Sequence, residues 1–223
     1  MRKIDYIFCL PGENYKNTFL HSWTMSVIEL MKRSENFIFV NYYSPIVSYT
    51  RNQLIRCIPG QKTSDEISLP FGGEIEAKKI IFIDNDIVWN PEDLIKIIES
   101  KEDIVSGFYK MAITDEYNNN SRLAAIENGR LLNIGEIKNK KQLIELDSVG
   151  FGFVAINFEV FKKIQYPWFE TVDFIDKKNN KIGYIGEDVS FCNKAKNAGY
   201  KIYGDPTVKV GHHKTKVLDF KNE

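Results

Sequence analysis

The first forty residues of the chain alternate between two hydrophobic spacings, one typical of strands and one typical of helices. Residues 4–10 (IDYIFCL), which are apolar except for Asp5, predict a strand that ends at a Pro-Gly turn. Apolar side chains then recur at helical spacing from about Thr18 to Lys32, and the run at 37–43 predicts a second strand. This order predicts a β-α-β unit. The side chains expected on the buried face of its helix are Leu20, Trp23, Val27, Leu30 and Met31.

The middle of the chain continues with strand and helix signals. Residues 48–50 (Ser-Tyr-Thr) have the composition of a helix cap, and the helix that follows carries Arg51. The apolar run at 80–83 predicts a buried parallel strand. Asn90 as N-cap and Pro91 at the first helical position then predict the start of another helix.

The rest of the chain keeps the same alternation. The pattern predicts, in order, a strand at 103–109, a polar surface hairpin within 115–139 around Glu127-Asn128-Gly129, a glycine-containing strand at 148–156, a helix at 158–163, a helix from Gly186 to Gly199, and two strands in YKIYGDP and TVKVGHH. Elements in this order predict an α/β fold with a mixed, mostly parallel central sheet flanked by helices.

Length and composition narrow the class of protein. A chain of 223 residues is long enough for one sizeable α/β domain. Its 30 basic and 30 acidic side chains balance, and the pI of about 6.8 argues against nucleic acid or an anionic membrane as a partner. The three cysteines have no metal-ligand spacing, so buried free thiols are expected. Neither a signal peptide nor a spanning helix is predicted, which favours the cytoplasm.

Two carboxylates follow the predicted strand at 80–83. Asp84 and Asp86 are spaced i, i+2, so an extended chain sends both to the same side of the backbone. Hard oxygen ligands of this kind bind divalent cations, and a cation there could hold a diphosphate. Ligands of open α/β sheets gather beyond the carboxyl ends of the strands, which is where these residues lie. The sequence therefore predicts a metal site at this end of the sheet.

Four separated motifs occur in an order that resembles the nucleotide-sugar-dependent glycosyltransferases of the GT-A fold. They are the Pro11-Gly12 turn with SYTRNQL at 48–54, the D-x-D run IIFIDNDIVWNP, SVGFGFVAI with its downstream YPWF, and IGEDVSFCNKAKNAGYKIYGDPTVKVGHH. The resemblance spans nearly the whole chain. It implies a Rossmann-like, three-layer α/β fold in one domain over 1–223, with a nucleotide-binding part at about 1–110 and an acceptor-side part at about 111–223.

The same resemblance implies roles for the acidic residues and for one histidine. Asp86 would ligate Mn²⁺ or Mg²⁺ bridging the donor diphosphate, Asp84 would bind the ribose or the donor sugar at this metal site, and His212 would complete the metal site. In inverting members, a carboxylate of the acidic pair takes the proton of the acceptor hydroxyl. This implies Asp188 as the base, with Glu187 beside it.

The remaining motif residues would bind the donor and the acceptor. The donor nucleotide pocket implied by the resemblance consists of Pro11, Gly12, Glu13, Arg51, Asn52 and Asn85. Gly150, Phe151 and Gly152 would let backbone approach a sugar, and Trp168 would offer it a hydrophobic face. A UDP-linked donor, a hydroxyl acceptor on a carbohydrate, a lipid or another molecule, and inversion at the anomeric carbon are the favoured expectations. Many members of the family have a longer C-terminal extension that shapes the acceptor site. Few residues follow His212 in this sequence, so the identity of the acceptor stays open.

Other interpretations of the same residues remain. Glu187 and Asp188 could only complement a helix dipole, His213 could compete with His212, and Arg51 could form an ordinary surface ion pair. Trp168 could be a core residue. A strand that runs into D-x-D also occurs in aspartate-nucleophile (HAD-like) phosphatases, although those place it at the start of the domain. A catalytically inactive nucleotide- or carbohydrate-binding domain is the third possibility.

Overall fold

The computed structural model of the protein describes residues 1–56, 69–111, 121–176 and 181–214. The helices are α1 (Asn17–Lys32), α2 (Val47–Arg56), α3 (Pro91–Glu99), α4 (Ile134–Ile137), α5 (Phe158–Lys163) and α6 (Glu187–Asn197). The strands are β1 (Arg2–Pro11), β2 (Phe37–Tyr42), β3 (Ile75–Ile83), β4 (Ile87–Val88), β5 (Ile104–Phe108), β6 (Arg122–Glu127), β7 (Arg130–Asn133), β8 (Ile144–Leu146), β9 (Ser148–Val149), β10 (Phe153–Asn157), β11 (Val172–Asp176), β12 (Lys181–Ile185), β13 (Ile202–Lys209) and β14 (Gly211–His212).

The central sheet has the strand order β2-β1-β3-β10-β5-β13-β8. β1 is parallel to both β2 and β3, and β13 is parallel to β5. β10 and β8 run antiparallel to their neighbours, so they oppose the other five strands. This arrangement confirms the predicted β-α-β unit at the start of the chain and the mixed, mostly parallel sheet. Both predicted parts of the chain, 1–110 and 111–223, contribute strands to the sheet.

A separate hydrophobic core lies on each face of the sheet. Because successive strand residues point to opposite faces, Phe8 and Ile81 join one core while Cys9 and Phe82 join the other. The first core is covered by α1 and α3, and the second by α2, α5 and α6. The protein therefore has three layers, with the sheet in the middle. Within the described part of the chain, no helix is both long and apolar enough to span a membrane.

The buried face of α1 differs from the prediction. Leu20 and Met31 are exposed, whereas Ser22 and Ser26 are buried. The reason is Trp89, whose backbone N–H donates to Ser22 Oγ (3.1 Å) and whose indole N–H donates to Ser26 Oγ (2.9 Å). Small hydroxyl side chains thus form the contact of α1 with the segment after β4, and hydrophobic periodicity alone misplaces that face.

The predicted helix boundaries agree with the structure in α3 and disagree in α2. Asn90 precedes α3 as its N-cap and its backbone N–H donates to Asp93 Oδ2 (3.2 Å). Helix α2 begins at Val47, so residues 48–50 lie inside it and the predicted cap is wrong. Thr50 Oγ1 donates instead to the carbonyl of Ser44 (3.1 Å).

The second half of the chain also contains the predicted hairpin. β6 and β7 pair around a turn in which Asn128 and Gly129 have φ of 52° and 73°, although residues 115–120 of the predicted surface segment lie outside the described part. The two strands predicted near the end are one strand, β13, followed by the short β14, with a register shift between Asp205 and Lys209. The hairpin of β11 and β12 was not predicted.

Lys79 is a buried lysine in β3. Its Nζ donates to the carbonyls of Ser100 (2.6 Å), Glu102 (3.3 Å) and Ile97 (3.4 Å), which lie at the end of α3 and just after it. Burial lowers the pKa of Lys79 to about 8. The charged ammonium is therefore less favourable in the folded state than in the unfolded chain, although backbone oxygens surround it.

This shift predicts a pH-dependent stability. Between about pH 8 and the ordinary lysine pKa of 10.5, the unfolded chain binds more protons than the folded one, so the free energy of unfolding rises with pH. The expected rise is at most about 1.4 kcal/mol per pH unit. Urea denaturation of the wild type and of Lys79→Met at each pH measures it. A constant difference between the two proteins across this range would contradict the prediction.

Candidate functional site

A cleft of about 240 Å³ opens where the parallel strands β1, β2 and β3 end. Its walls consist of Pro11, Gly12, Tyr43, Ser44, Val47, Thr50, Arg51, Asp84, Asn85 and Asp86. Ligands of open α/β sheets bind at the carboxyl ends of the strands, and this cleft lies at that place. The structure thus brings together six of the residues predicted to bind the donor or a metal, from three separate segments of the chain.

The Pro11-Gly12 turn packs directly on the D-x-D segment. Gly12 has φ of 148°, and a Cβ there would lie 2.8 Å from the side chain of Asn85. The Asn85 amide donates to the carbonyl of Asn14 (2.8 Å), which holds the two segments together. Asn41 also stabilises the turn, since its amide donates to the carbonyls of Leu10 and Gly12, both at 2.8 Å. Only a glycine permits this close approach.

Asp86 and His212 meet at one side of the cleft. His212 Nε2 lies 3.0 Å from Asp86 Oδ2, and His212 Nδ1 lies 2.6 Å from the carbonyl oxygen of Lys110. Because a carbonyl can only accept, Nδ1 carries a proton, so Nε2 presents a lone pair to the carboxylate in the neutral ring and donates to it in the protonated ring. Antiparallel pairing of β14 with β4 fixes this geometry by placing His212 opposite Ile87.

Burial and hydrogen bonding act in opposite directions on both members of this pair. Burial alone would raise the pKa of Asp86, but hydrogen bonds from His212 and Lys214 outweigh burial and lower it to about 2. Burial opposes the charged form of His212, but the hydrogen bonds to Asp86 and to the Lys110 carbonyl raise its pKa above the ordinary value. A histidine whose second nitrogen is bound to a carbonyl oxygen has the orientation typical of metal ligands.

Asp84 faces a different partner. Arg51 Nη2 lies 3.2 Å and 3.3 Å from its two carboxylate oxygens. The same guanidinium donates through Nε to Glu187 Oε1 (3.2 Å) and through Nη1 to the carbonyl of Phe151 (3.2 Å). Arg51 is only 5% exposed and lies against the rings of Phe82 and Phe151. It is therefore a buried junction between the D-x-D segment and the acidic pair, and the surface ion-pair interpretation is wrong.

Removing this junction is expected to destabilise the fold. Arg51→Ala leaves Asp84 and Glu187 without their shared counter-charge, and breaking a buried ion pair costs about 3–5 kcal/mol. Urea denaturation measures the loss. The matched control is Arg130→Ala, which breaks an exposed pair with Glu136 and should cost far less. Equal losses in the two variants would contradict the assignment.

The acidic pair begins α6, as predicted, and its members differ in environment. Glu187 is engaged by Arg51. The Val189 N–H donates to Asp188 Oδ1 (2.7 Å). Burial raises the pKa of Asp188, the charge of Glu187 adds to the rise, and the hydrogen bond from Val189 opposes it. The environment of Asp188 therefore favours uptake of a proton.

Gly150 and Gly152 leave room for an aromatic side chain of the protein. A Cβ on Gly150 would lie 2.3 Å from the hydroxyl of Tyr109, and one on Gly152 would lie 2.7 Å from its ring. The Gly152 N–H donates to the Tyr109 hydroxyl (3.0 Å), and the Tyr109 ring packs edge-on against His212. In this structure the close approach predicted for a sugar is made by Tyr109.

Three predicted binding residues are part of the core. Trp168 is fully buried and its indole donates to the carbonyl of Phe161 (2.9 Å), so it offers no face to a sugar. Phe151 is 1% exposed. Asn52 is buried, donates to the carbonyl of Phe169 (2.6 Å) and accepts from its N–H (3.2 Å). In this structure the three side chains make core contacts, and none of them lines the cleft.

Some residues at the cleft were missed, and the predicted residue Glu13 does not line it. Tyr43, Ser44 and Val47 follow the end of β2, and the strand-end rule that located Asp84 would have located them too. Lys214, which contacts Asp86 at 3.0 Å, carried no sequence signal. Glu13 is exposed and is not among the residues that line the cleft.

A metal bound here would have few ligands from the protein. Among the described residues, no group of three or more His, Cys, Asp or Glu side chains is arranged to hold a metal ion. Asp86 and His212 form a pair, which suits a cation that completes its shell with phosphate oxygens and water. One carboxylate and one imidazole could supply two ligands to a divalent cation such as Mn²⁺, and its remaining ligands would have to come from a bound phosphate and from water.

Comparison with known proteins gives no match by sequence: no protein-family model and no curated protein matches this chain. Solved structures do match. A197 from STIV aligns with a TM-score of 0.52 at 16% identity, over 98% of this chain and 99% of that chain. The catalytic domain of Drosophila beta1,4galactosyltransferase 7, in complex with xylobiose, aligns with a TM-score of 0.50 at 12% identity, over 96% of this chain and 72% of that chain.

A third structure, GalNAc-T7 with UDP, GalNAc and Mn²⁺, aligns with a TM-score of 0.51 at 12% identity. The alignment covers 94% of this chain and 44% of that chain. At such identities a likeness establishes the fold and nothing finer. The predicted fold class is therefore confirmed, and the chain has the mixed α/β fold of the GT-A type.

Proposed function

We propose that this protein is a glycosyltransferase that moves a sugar from a nucleoside diphosphate donor to an acceptor hydroxyl, with a divalent cation at Asp86 and His212. The observation that carries the proposal is the pair itself. His212 Nε2 lies 3.0 Å from Asp86 Oδ2 at the edge of the cleft, and the carbonyl of Lys110 fixes the ring so that this nitrogen faces the carboxylate. A divalent cation bound there would offset the charge of the diphosphate as it leaves.

The cleft supplies groups for the rest of a donor. Pro11 and Gly12 line the cleft, and Tyr43 and Val47 add apolar surface to it. Asp84 is held in place by Arg51, with its carboxylate at the cleft surface. This supports the expectation that Asp84 accepts hydrogen bonds from hydroxyls of the ribose or the sugar. The likeness to a structure that holds UDP and Mn²⁺ makes UDP-linked donors the first choice to test.

Asp188 is the proposed base. Its raised pKa matches a carboxylate that takes a proton from an acceptor hydroxyl, and Glu187 is already engaged by Arg51. Such a base serves direct attack on the anomeric carbon, so inversion is favoured. The acceptor hydroxyl would belong to a carbohydrate, a lipid or another molecule.

The contact between Asp84 and Arg51 argues against the aspartate-nucleophile phosphatase interpretation. A phosphatase of that class needs a free nucleophilic aspartate at the strand end. Here both oxygens of Asp84 face the guanidinium of Arg51, which argues against that role.

A thermal-shift panel of nucleoside diphosphates and nucleotide sugars, each with and without Mn²⁺, tests the proposal. A ligand at about one hundred times its dissociation constant stabilises a protein by roughly 2.7 kcal/mol. For a chain of this size, that corresponds to a rise in Tm of about 5–10 °C. We expect such a rise with one nucleotide and Mn²⁺ together. No rise with any nucleotide would contradict the donor class, and a rise that does not depend on Mn²⁺ would contradict the cation site.

A further inference from the structure

The Lys214 ammonium and the His212 imidazole share one oxygen of Asp86. Lys214 Nζ lies 3.0 Å from Asp86 Oδ2, and His212 Nε2 lies 3.0 Å from the same atom. Together these contacts lower the pKa of Asp86, as described above. The ammonium of Lys214 therefore lies beside the carboxylate to which the proposed function assigns a divalent cation.

The backbone near Lys214 is fixed, whereas its side chain is open to solvent. The His213 N–H donates to the carbonyl of Asp86 (2.7 Å), and β14 pairs with β4 immediately before it. The Lys214 side chain is 36% exposed. A lysine ammonium on a four-carbon stem exchanges partners readily, because the charge is compact and the stem is flexible. Lys214 can thus leave Asp86 while remaining within reach of the cleft.

The charges around the cleft favour a movement of the Lys214 ammonium from Asp86 to a bound diphosphate. Arg51 offsets Asp84, and the ammonium of Lys214 offsets Asp86. A divalent cation beside Asp86 would repel the ammonium at contact distance. A donor diphosphate bound in the same cleft carries oxygens that accept charge-assisted hydrogen bonds from lysine.

We infer that Lys214 is an exchangeable counter-ion of the cation site: it holds Asp86 while the site is empty, and it turns to the donor diphosphate when cation and donor bind. This inference rests on the proposed function. It assigns Lys214 two opposite effects, since the lysine competes with the cation alone and assists the nucleoside diphosphate once the cation is present.

Calorimetric titration of Lys214→Gln tests both effects without measuring turnover. With Mn²⁺ alone, the variant should bind the ion roughly two- to fivefold more tightly than the wild type, since a half-exposed ion pair no longer competes. With saturating Mn²⁺, it should bind UDP about tenfold or more weakly, because a hydrogen bond from a charged group to the diphosphate is lost. Lys214→Arg retains the charge and should restore UDP affinity towards the wild-type value.

The control is Lys209→Gln, which removes an equal charge from an exposed position on β13 and should change neither affinity. If the wild type binds Mn²⁺ and UDP but Lys214→Gln changes both affinities in the same direction, or neither, the inference is wrong and the proposed function stands. If the wild type binds neither Mn²⁺ nor any nucleoside diphosphate, the proposed function fails and the inference fails with it.

Discussion

Asp86→Asn is expected to abolish cation-dependent sugar transfer while the protein stays folded. The amide keeps the shape of the side chain and can accept a hydrogen bond, but it loses the negative charge that faces His212 and Lys214. A bound cation contributes several kcal/mol to the stabilisation of a leaving diphosphate, so transfer should fall by about 10³-fold or more. Steady-state assays with the donor found in the thermal-shift panel measure the loss, and the Mn²⁺-dependent rise in Tm should vanish with it.

A carboxylate outside the cleft provides the control for this variant. Asp205 lies in β13, where it accepts from the N–H and the hydroxyl of Thr207. Asp205→Asn should leave both transfer and the Mn²⁺-dependent shift near wild type. Transfer by Asp86→Asn within tenfold of wild type would remove Asp86 from the cation site. A large loss of stability without ligand would show that the residue acts in folding instead.

Asp188→Asn is expected to reduce transfer by about 10²–10⁴-fold, the usual contribution of a general base. The amide cannot take up the proton of the acceptor hydroxyl, whereas the N–H of Val189 can still donate to its oxygen. Binding of the nucleoside diphosphate with Mn²⁺ should be unchanged. The loss should therefore appear in kcat and not in the affinity for the donor.

The wild-type pH profile gives an independent check on the same residue. Burial raises the pKa of Asp188, so the carboxylate is protonated at a higher pH than an ordinary aspartate, and activity should fall as the pH drops through that raised value. Glu187→Gln is the matched variant, since its amide oxygen can still accept from Arg51. If Glu187→Gln loses transfer as strongly as Asp188→Asn while remaining as stable as the wild type, the base has been assigned to the wrong residue.

Local signals in the sequence were sufficient for much of the fold and for the centre of the site. The apolar run before Asp84 and the Asn-Pro start of α3 depend on neighbouring residues, and both are as predicted. The strand-end rule then placed Asp84 and Asp86 in the cleft together with the Pro11-Gly12 turn. These features are short in sequence, and patterns within about ten residues determine them.

Contacts between distant segments could not be predicted in the same way. Arg51 meets Asp84 and Glu187 across long stretches of chain, and periodicity gives no information about which charged side chain a fold will enclose. The burial of aromatic residues is equally hard to predict. A tryptophan after a proline can stack on a sugar or fill a core, and Trp168 lies in the core, where the carbonyl of Phe161 accepts its indole N–H.

The buried guanidinium of Arg51 has an evolutionary consequence. Its hydrogen bonds join positions 51, 84 and 187, so a substitution at one of them leaves charge without a partner at the others. Homologous chains should therefore change these three positions together, as a set that either keeps all its charges or replaces them. Homologues that keep Arg51 should keep both carboxylates, and homologues that lose one of the three charges should lose the others as well.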